Sequence, residues 1–391
     1  MLKASGLRRS YEAAKKDGRI GERRFMADLR EALSSKQIQV DDERIDLSIK
    51  DLFENFVPNG HELIGCWKRG EDSSSLMEAG DAVSTTMFSN ITGQIVYNAV
   101  IDAFTSEEFR FTPLVKTVQT EFNGEKIAGI GRMGDRAEVV GEGLPYPKVG
   151  VSEDYIETPQ TTKRGMIVPL TKEAIAFDRT GLVIQRCGEV GEFLGLNKEK
   201  RVIDAIIDEN VTTHRYKWRG TSYATYQTST PWDNSTTSAT LTDWTDIDEA
   251  FQTLDAILDP NTGEPILNSP KDLVVTRQNL AKARYIMSAT EIRVGDGAST
   301  TTQTIASNPV GGTLTIHSSQ LLAARMGTDT TWYVGDVRKA FAYMQNWPIT
   351  TVQAPSNTTD EFERDIVMQW KASERGAMAT IEPRVMTKCT V

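Results

Sequence analysis

The sequence predicts an α+β protein with two segregated domains, a projecting arm and an N-terminal extension. Three observations carry that expectation. Between Asp154 and Glu209 a polar, strand-like stretch passes into the longest helical period of the chain. From Phe111 to Gly165 the sequence is extended and glycine-rich, with no apolar run from which to build a core of its own. After Trp332 the apolar residues fall into short strand patterns.

The first observation is the most specific. Thr158, Thr161 and Thr162 surround Pro159 and lead to the apolar run Met166 to Leu170. From Leu182 onward apolar residues fall at Val183, Cys187, Val190, Leu194, Val202, Ile203, Ile206 and Ile207. That spacing describes one stripe of an amphipathic helix, with Asp178 or Thr180 able to cap its first turn. A helix of roughly 28 residues is about 42 Å long at 1.5 Å per residue. Such a rod is expected to be a spine on which other elements hang, packed through Val183, Val190, Leu194, Ile203 and Ile206.

Taken in order, residues 1 to about 36 read as a polar helical arm with Phe25, Leu29 and Leu33 at helix spacing, solvated or packed on a partner. SIKDLFENFVPNG puts Ile49, Leu52, Phe53 and Phe56 on one helical face, with Ser48 and Asp51 as a capping box and Pro58 as the stop. A second short helix is expected over Ile91 to Val100. The glycine-bearing stretch to Gly165 is expected to be a long β-hairpin reaching away from its domain, which needs a surface to lie on. Residues 211–245, where 15 of 35 are Ser or Thr and six are Tyr or Trp, suggest a short hairpin or a surface insertion. Thr245 and Asp248 open a further helix with Ile247, Phe251, Leu254 and Leu258 on one face. Leu273 to Val275 reads as a buried strand, Gln278 to Met287 as the helix after it, and Thr290 to Gly312 as a polar loop. Trp332 to Val334, then Phe341, Tyr343 and Trp347, then Ile366, Met368, Trp370 and Ala372 read as strands. A turn at Glu374 to Gly376 into Ala379 to Ile381 would close a hairpin.

The composition, 39% hydrophobic and 25% charged, is that of an ordinary globular chain of two or three domains. No run approaches the 18 or so apolar residues of a membrane span, and the N-terminus carries charge where a signal peptide is apolar, so the chain is expected to be intracellular when made. Cys66, Cys187 and Cys389 lie far apart, which excludes a disulfide framework and a zinc spacing. Asn-x-Ser/Thr triplets at Asn90, Asn210, Asn234 and Asn357 follow from a Thr-rich composition. Of the net charge of −10, residues 1–36 hold ten Lys or Arg against five Asp or Glu, so the remaining body is strongly acidic. Such a body repels phosphate and counts against a nucleic-acid reader.

No chemistry emerges from the motifs. GIGRMG, Gly129 to Gly134, matches the dinucleotide fingerprint, but DRAEVVGEGLPYP follows it and cannot form the helix that holds a pyrophosphate. His61, His214 and His317 have no metal spacing and no nucleophile beside them. Glu361, Glu363, Arg364 and Asp365 read as a salt-bridged strand face. No P-loop, H-E-x-x-H, G-x-S-x-G or EF-hand pattern occurs, so neither an enzyme nor a cofactor or metal site is expected.

The order of elements resembles a family, the major capsid proteins of tailed phages with the Hong Kong 97-type fold. The hairpin leading into VPLTKEAIAFDRTG and the spine helix is similar to that family's extended loop and peripheral-domain helix. DPNTGEPILNSPKDLVV with RQNLAKARYIM resembles its axial domain. WYVGDVRKAFAYMQNWPITTV with EFERDIVMQWKASERGAMATIEPRV resembles the strands returning to the peripheral domain. SIKDLFENFVPNG resembles N-terminal arms of phage heads of the Mu-like group. The resemblance implies an N-terminal arm over 1–110, an extended loop over 111–165, a peripheral-domain spine and Ser/Thr insertion over 166–245, an axial domain over 246–340, and returning strands over 341–391.

It further implies a structural protein, not an enzyme, that self-assembles into pentamers and hexamers of an icosahedral shell. Such a shell encloses double-stranded DNA without reading its sequence, and is built in the host cytoplasm into the virion. Portal, scaffolding and decoration proteins are the implied partners, with no membrane. Arg132, Arg136, Glu142, Lys148 and Lys163 of the extended loop are the implied contacts with the adjacent subunit. Some members cross-link through a loop lysine, but no phrase marks Lys148 or Lys163 as that residue. Others lose a scaffolding segment to a protease; this chain is expected to be unclipped, with scaffolding supplied by a separate protein or by residues 1 to about 40. An acidic inner wall would let packed DNA slide. The alternatives are an encapsulin, a cellular shell of the same fold that usually lacks so long an N-terminal extension, and a soluble enzyme, for which no constellation exists.

Overall fold

The computed structural model describes residues 4–16, 21, 24–25, 27–29, 31, 49–57, 59–69, 82–128, 139–143, 145–146, 154–177, 182–209, 215–229, 231–237, 239–295, 303–354 and 364–390. Arg132, Arg136, Lys148, Asp178, Thr180, Ser48, Pro58, His214, Glu361, Glu363 and the Gly129–Gly134 motif lie outside them. The chain is a mixture of helices and sheets that divides into two compact units, one of residues 1–107, 163–197 and 347–375, the other of 108–162, 198–346 and 376–391. The helix Leu182–Ile207 and the strands Phe341–Gln353 and Ile366–Thr380 each contribute residues to both.

The first unit gathers the helices Ala4–Lys16, Ile49–Phe56, Gly60–Arg69, Ala82–Phe104 and Lys172–Phe177 with the start of the long helix. The apolar face expected over 49–56 is buried whole: Ile49, Leu52, Phe53 and Phe56 sit in the core, where the Phe53 ring meets Phe88 edge-on at 5.3 Å. The helix over Ile91 to Val100 is longer than its apolar spacing suggested, running Ala82–Phe104, because its ends carry Ser, Thr and Asp that hold helical backbone without marking a period. The N-terminal arm also departs from the expected helix that is solvated or packed on a partner. Leu7 and Leu29 are buried in this unit's core and Tyr11 packs edge-on to Phe25 at 5.6 Å, so these described apolar residues pack within the unit itself.

The second unit is centred on a five-stranded sheet in the order Thr315–His317, Asp272–Val275, Trp332–Gly335, Met386–Cys389, Ser235–Thr236. Its three central strands are buried on both faces, so the two-residue period sends neighbours into different cores. Leu273, Val275, Trp332 and Val334 enter one with the helices Trp244–Asp255 and Arg277–Ser288; Val274, Tyr333 and Met386 enter another with Val202, Ile203 and Ile206. The helix Trp244–Asp255 begins one residue before Thr245 because Asp243 and Asp246 form the capping box, and Leu258 lies beyond its end.

Three further expectations are corrected. Residues 290–312 are not simply a loop: Glu291–Gly295 and Gln303–Ser307 pair antiparallel, Glu291 opposite Ser307. No turn occurs at Glu374 to Gly376, since one strand runs Ile366–Thr380. Gly376 is there for close approach: a Cβ on it would stand 2.6 Å from the Tyr343 ring. Of the two readings of the Ser/Thr-rich segment the short hairpin holds, Tyr216–Trp218 pairing antiparallel with Thr221–Tyr223, and the surface insertion does not, because Tyr216 and Trp232 are buried with ring centroids 5.3 Å apart and supply core that the hydroxyls conceal in the composition.

Candidate assembly surface

The long helix, Leu182–Ile207, is interrupted chemically at its middle. Val183 and Val190 are half-buried against the first unit's core and Leu194 is buried within it, whereas Ile203 and Ile206 are fully buried in the second unit. The expected single stripe is therefore two apolar patches, separated by Lys198 and Glu199, both buried. Each has a defined partner. The Glu199 carboxylate accepts from the backbone N–H of Phe111 and of Thr112, both at 2.8 Å, and from the Thr112 hydroxyl at 2.5 Å. The Lys198 ammonium lies 4.3 Å over the Tyr343 ring. A carboxylate spent on two backbone donors is a clamp: it fixes the short helical turn Thr112–Leu114 from which the extended arm departs.

The arm has a built root in the second unit. Its outgoing strand Lys126–Ala128 pairs antiparallel with its returning strand Tyr155–Glu157, which pairs in turn with Tyr216–Trp218 and then Thr221–Tyr223. Ile156 is buried at the centre. On the other face Glu157 joins Lys126 at 3.8 Å and pairs closely with Lys217. Asp154 accepts from the Trp218 indole at 2.6 Å and from Arg219 at 3.0 Å, and Asn123 accepts from the Thr161 N–H at 2.9 Å. The Ser/Thr-rich segment thus holds the arm's base, a role that its composition did not reveal.

Of the expected intersubunit residues, Glu142 is exposed in the arm and Lys163 is exposed at the start of the strand Thr162–Thr171; they belong to different units. Large apolar side chains stand in solvent in both units. In the first these include Phe177 and Phe193, the latter 53% exposed on the long helix; in the second, Tyr146 at 82%, Leu267 at 85% and Tyr285 at 78%. Side chains of this size left uncovered mark contact surfaces when they are grouped on an assembling protein.

Polar residues missed by the sequence reading are structural. Arg384 is buried between two carboxylates, donating to Glu382 at 2.8 and 3.0 Å and to Asp259 at 3.1 Å. The Asn234 amide donates to the carbonyls of Thr225, Pro383 and Met386, tying the C-terminal strand down. A buried Arg beside two acids leaves no hydropathy signal, and Asp259 lies 125 residues from Arg384 in sequence. His317 meets Asp272 at 2.9 Å and His61 lies 3.5 Å from Glu54. Among the described residues no group of His, Cys, Asp and Glu could hold a metal ion, and no helix is long and apolar enough to cross a membrane.

A family model described as phage capsid protein matches residues 155–389. No curated protein matches the chain. Among solved structures the chain is similar to the capsid of a native GTA particle, at 9% identity and a TM-score of 0.47, covering 73% of this chain and 90% of that one. It is similar to the capsid of the cyanophage P-SCSP1u at 12% identity and a TM-score of 0.44, covering 71% and 86%. A virus-like particle from Pyrococcus furiosus shares 10% identity at a TM-score of 0.40, covering 76% and 98%.

Proposed function

The chain belongs to the phage capsid protein family, and from that premise we propose that it is the major head subunit of a tailed double-stranded DNA phage, assembling into pentamers and hexamers of an icosahedral shell. The observation that carries the reading is the family match, which spans more than half of the 391 residues. The clamped and rooted arm supports it, because an extended element anchored at its base and bearing exposed apolar residues at 139–146 suits contact with a neighbour. In this reading the fold is of the Hong Kong 97 type, with residues 246–340 as the axial domain and 111–165 as the loop laid over the adjacent subunit. Many repeated contacts then stabilise a closed shell, each on the order of 1,600 Å² for a standard interface.

Imaging of the purified assembly together with its 260 to 280 nm absorbance ratio tests the reading. DNA-filled icosahedra support a phage head. Protein-filled shells assign a cargo compartment instead, and a chain that stays monomeric removes both.

A further inference from the structure

The second unit carries a groove of about 630 Å³ whose floor and rim differ in chemistry. The floor is apolar. Val118 and Met344 are register partners where Lys116–Gln119 runs parallel to Phe341–Gln353, and Ile127 and Ile381 complete the same cluster. The rim is cationic. Lys271 and Lys339 share Asp336 at 3.5 and 3.7 Å, while Lys116 and Arg338 have no anionic partner among the described residues. Four cations and one carboxylate surround this groove in a chain whose net charge is −10.

A nucleic-acid backbone would neutralise such a rim but leave the half-buried Val118, Ile127 and Ile381 facing water. An acidic peptide with an apolar side chain satisfies both surfaces at once. The chain contains that chemistry at 139–146, where Val139 and Tyr146 stand in solvent on either side of the exposed Glu142. The cationic rim and the segment are both exposed within one chain, so each is open to a counterpart on another. We propose that the groove receives the 139–146 segment of a second copy of this chain, with Tyr146 or Val139 over Val118 and Ile127 and Glu142 against Arg338 and Lys116. The inference rests on the shell reading and names the surface that the arm meets.

Two measurements test it on the full chain. Arg338→Cys and Tyr146→Cys variants are prepared separately, mixed before assembly and treated with a bifunctional maleimide; Cys66, Cys187 and Cys389 are all buried and stay silent. A linked dimer in the mixture, absent from either variant alone, is the expected result. Second, Arg338→Glu should slow assembly followed by light scattering about tenfold, a change of about 1.4 kcal/mol, and Glu142→Arg in the same chain should restore the rate. Particles that form at the parent rate with no linked product overturn the groove assignment and leave the shell reading standing. The same holds for a link that forms only within a doubly substituted monomer, or for an Arg338→Glu variant that loses DNA retention but still assembles normally. A parent chain that never assembles overturns the shell reading itself.

Discussion

At Gly191 the long helix lies close against Val100 of the helix Ala82–Phe104. A Cβ built there stands 2.2 Å from the Val100 carbonyl oxygen and 2.9 Å from its carbonyl carbon. Ordinary carbon contacts lie at about 3.5–4.0 Å, so one of the two helices must move by more than about 1 Å. The obstacle is backbone, which no rotamer change can remove. Overpacking of this kind costs about 1–3 kcal/mol, and the contact belongs at the upper end. Gly188, three residues earlier on the same helix, has nothing within 4 Å of the same Cβ. Both changes to Ala gain the same helix propensity, about 1 kcal/mol. Gly188→Ala should therefore stabilise by about 1 kcal/mol and Gly191→Ala destabilise by about 1–2 kcal/mol. Their difference, about 2–3 kcal/mol, isolates the close approach. Urea unfolding of the full-length variants by circular dichroism reads it. Equal midpoints for the two variants would refute the packing argument.

Other expected outcomes are as direct. Glu199→Ala strips a buried and a part-buried backbone N–H group of their acceptor and should destabilise by about 2 kcal/mol, with faster amide exchange at Phe111 and Thr112; unchanged exchange there would deny the clamp. Arg384→Met leaves Glu382 and Asp259 buried without a cation and should cost about 3–5 kcal/mol in the urea midpoint, which an unchanged midpoint would contradict. Burial raises the Asp208 carboxyl above its ordinary 3.8, against the opposing Thr225 N–H and Arg215. The folded chain then binds that proton more tightly than the unfolded one, so stability falls as pH rises from 3.8 through the raised value. Asp208→Asn, which suits the left-handed φ of 55° there, should be the more stable form at neutral pH and lose that advantage in acid; a pH-independent difference would contradict this. Burial also pushes the Cys187 and Cys389 thiols up to about 12, so iodoacetamide at pH 8 should label neither until the chain is denatured, as mass spectrometry would show.

Elements with a clean period were legible from sequence. The face Ile49, Leu52, Phe53 and Phe56, the long helix from Leu182 and the buried strand Leu273 to Val275 all stand where the apolar spacing put them. What the spacing could not show is which core each residue enters. Val190 and Ile203 share a helix but pack in different units, and only the buried Lys198 and Glu199 between them mark the division. The Gln303–Ser307 strand was hidden because Thr, Gln and Ser there alternate with little hydrophobicity. Gly376 mimicked a turn because glycine serves equally a bend and a flat strand crossed by an aromatic ring. The groove was invisible for another reason: Lys116, Lys271 and Arg338 are distant in sequence and converge only through the parallel pairing of Lys116–Gln119 with Phe341–Gln353 and the strand Asp272–Val275 beside Trp332–Gly335.

In the proposed function this chain works by closing into a shell of many copies. Mass measurement of the purified full-length protein by analytical ultracentrifugation tests it most directly. A sharp species many multiples of 43.4 kDa, dissociating into five- and six-copy rings, is the result the account predicts. A single species at 43.4 kDa under every assembly condition would contradict it.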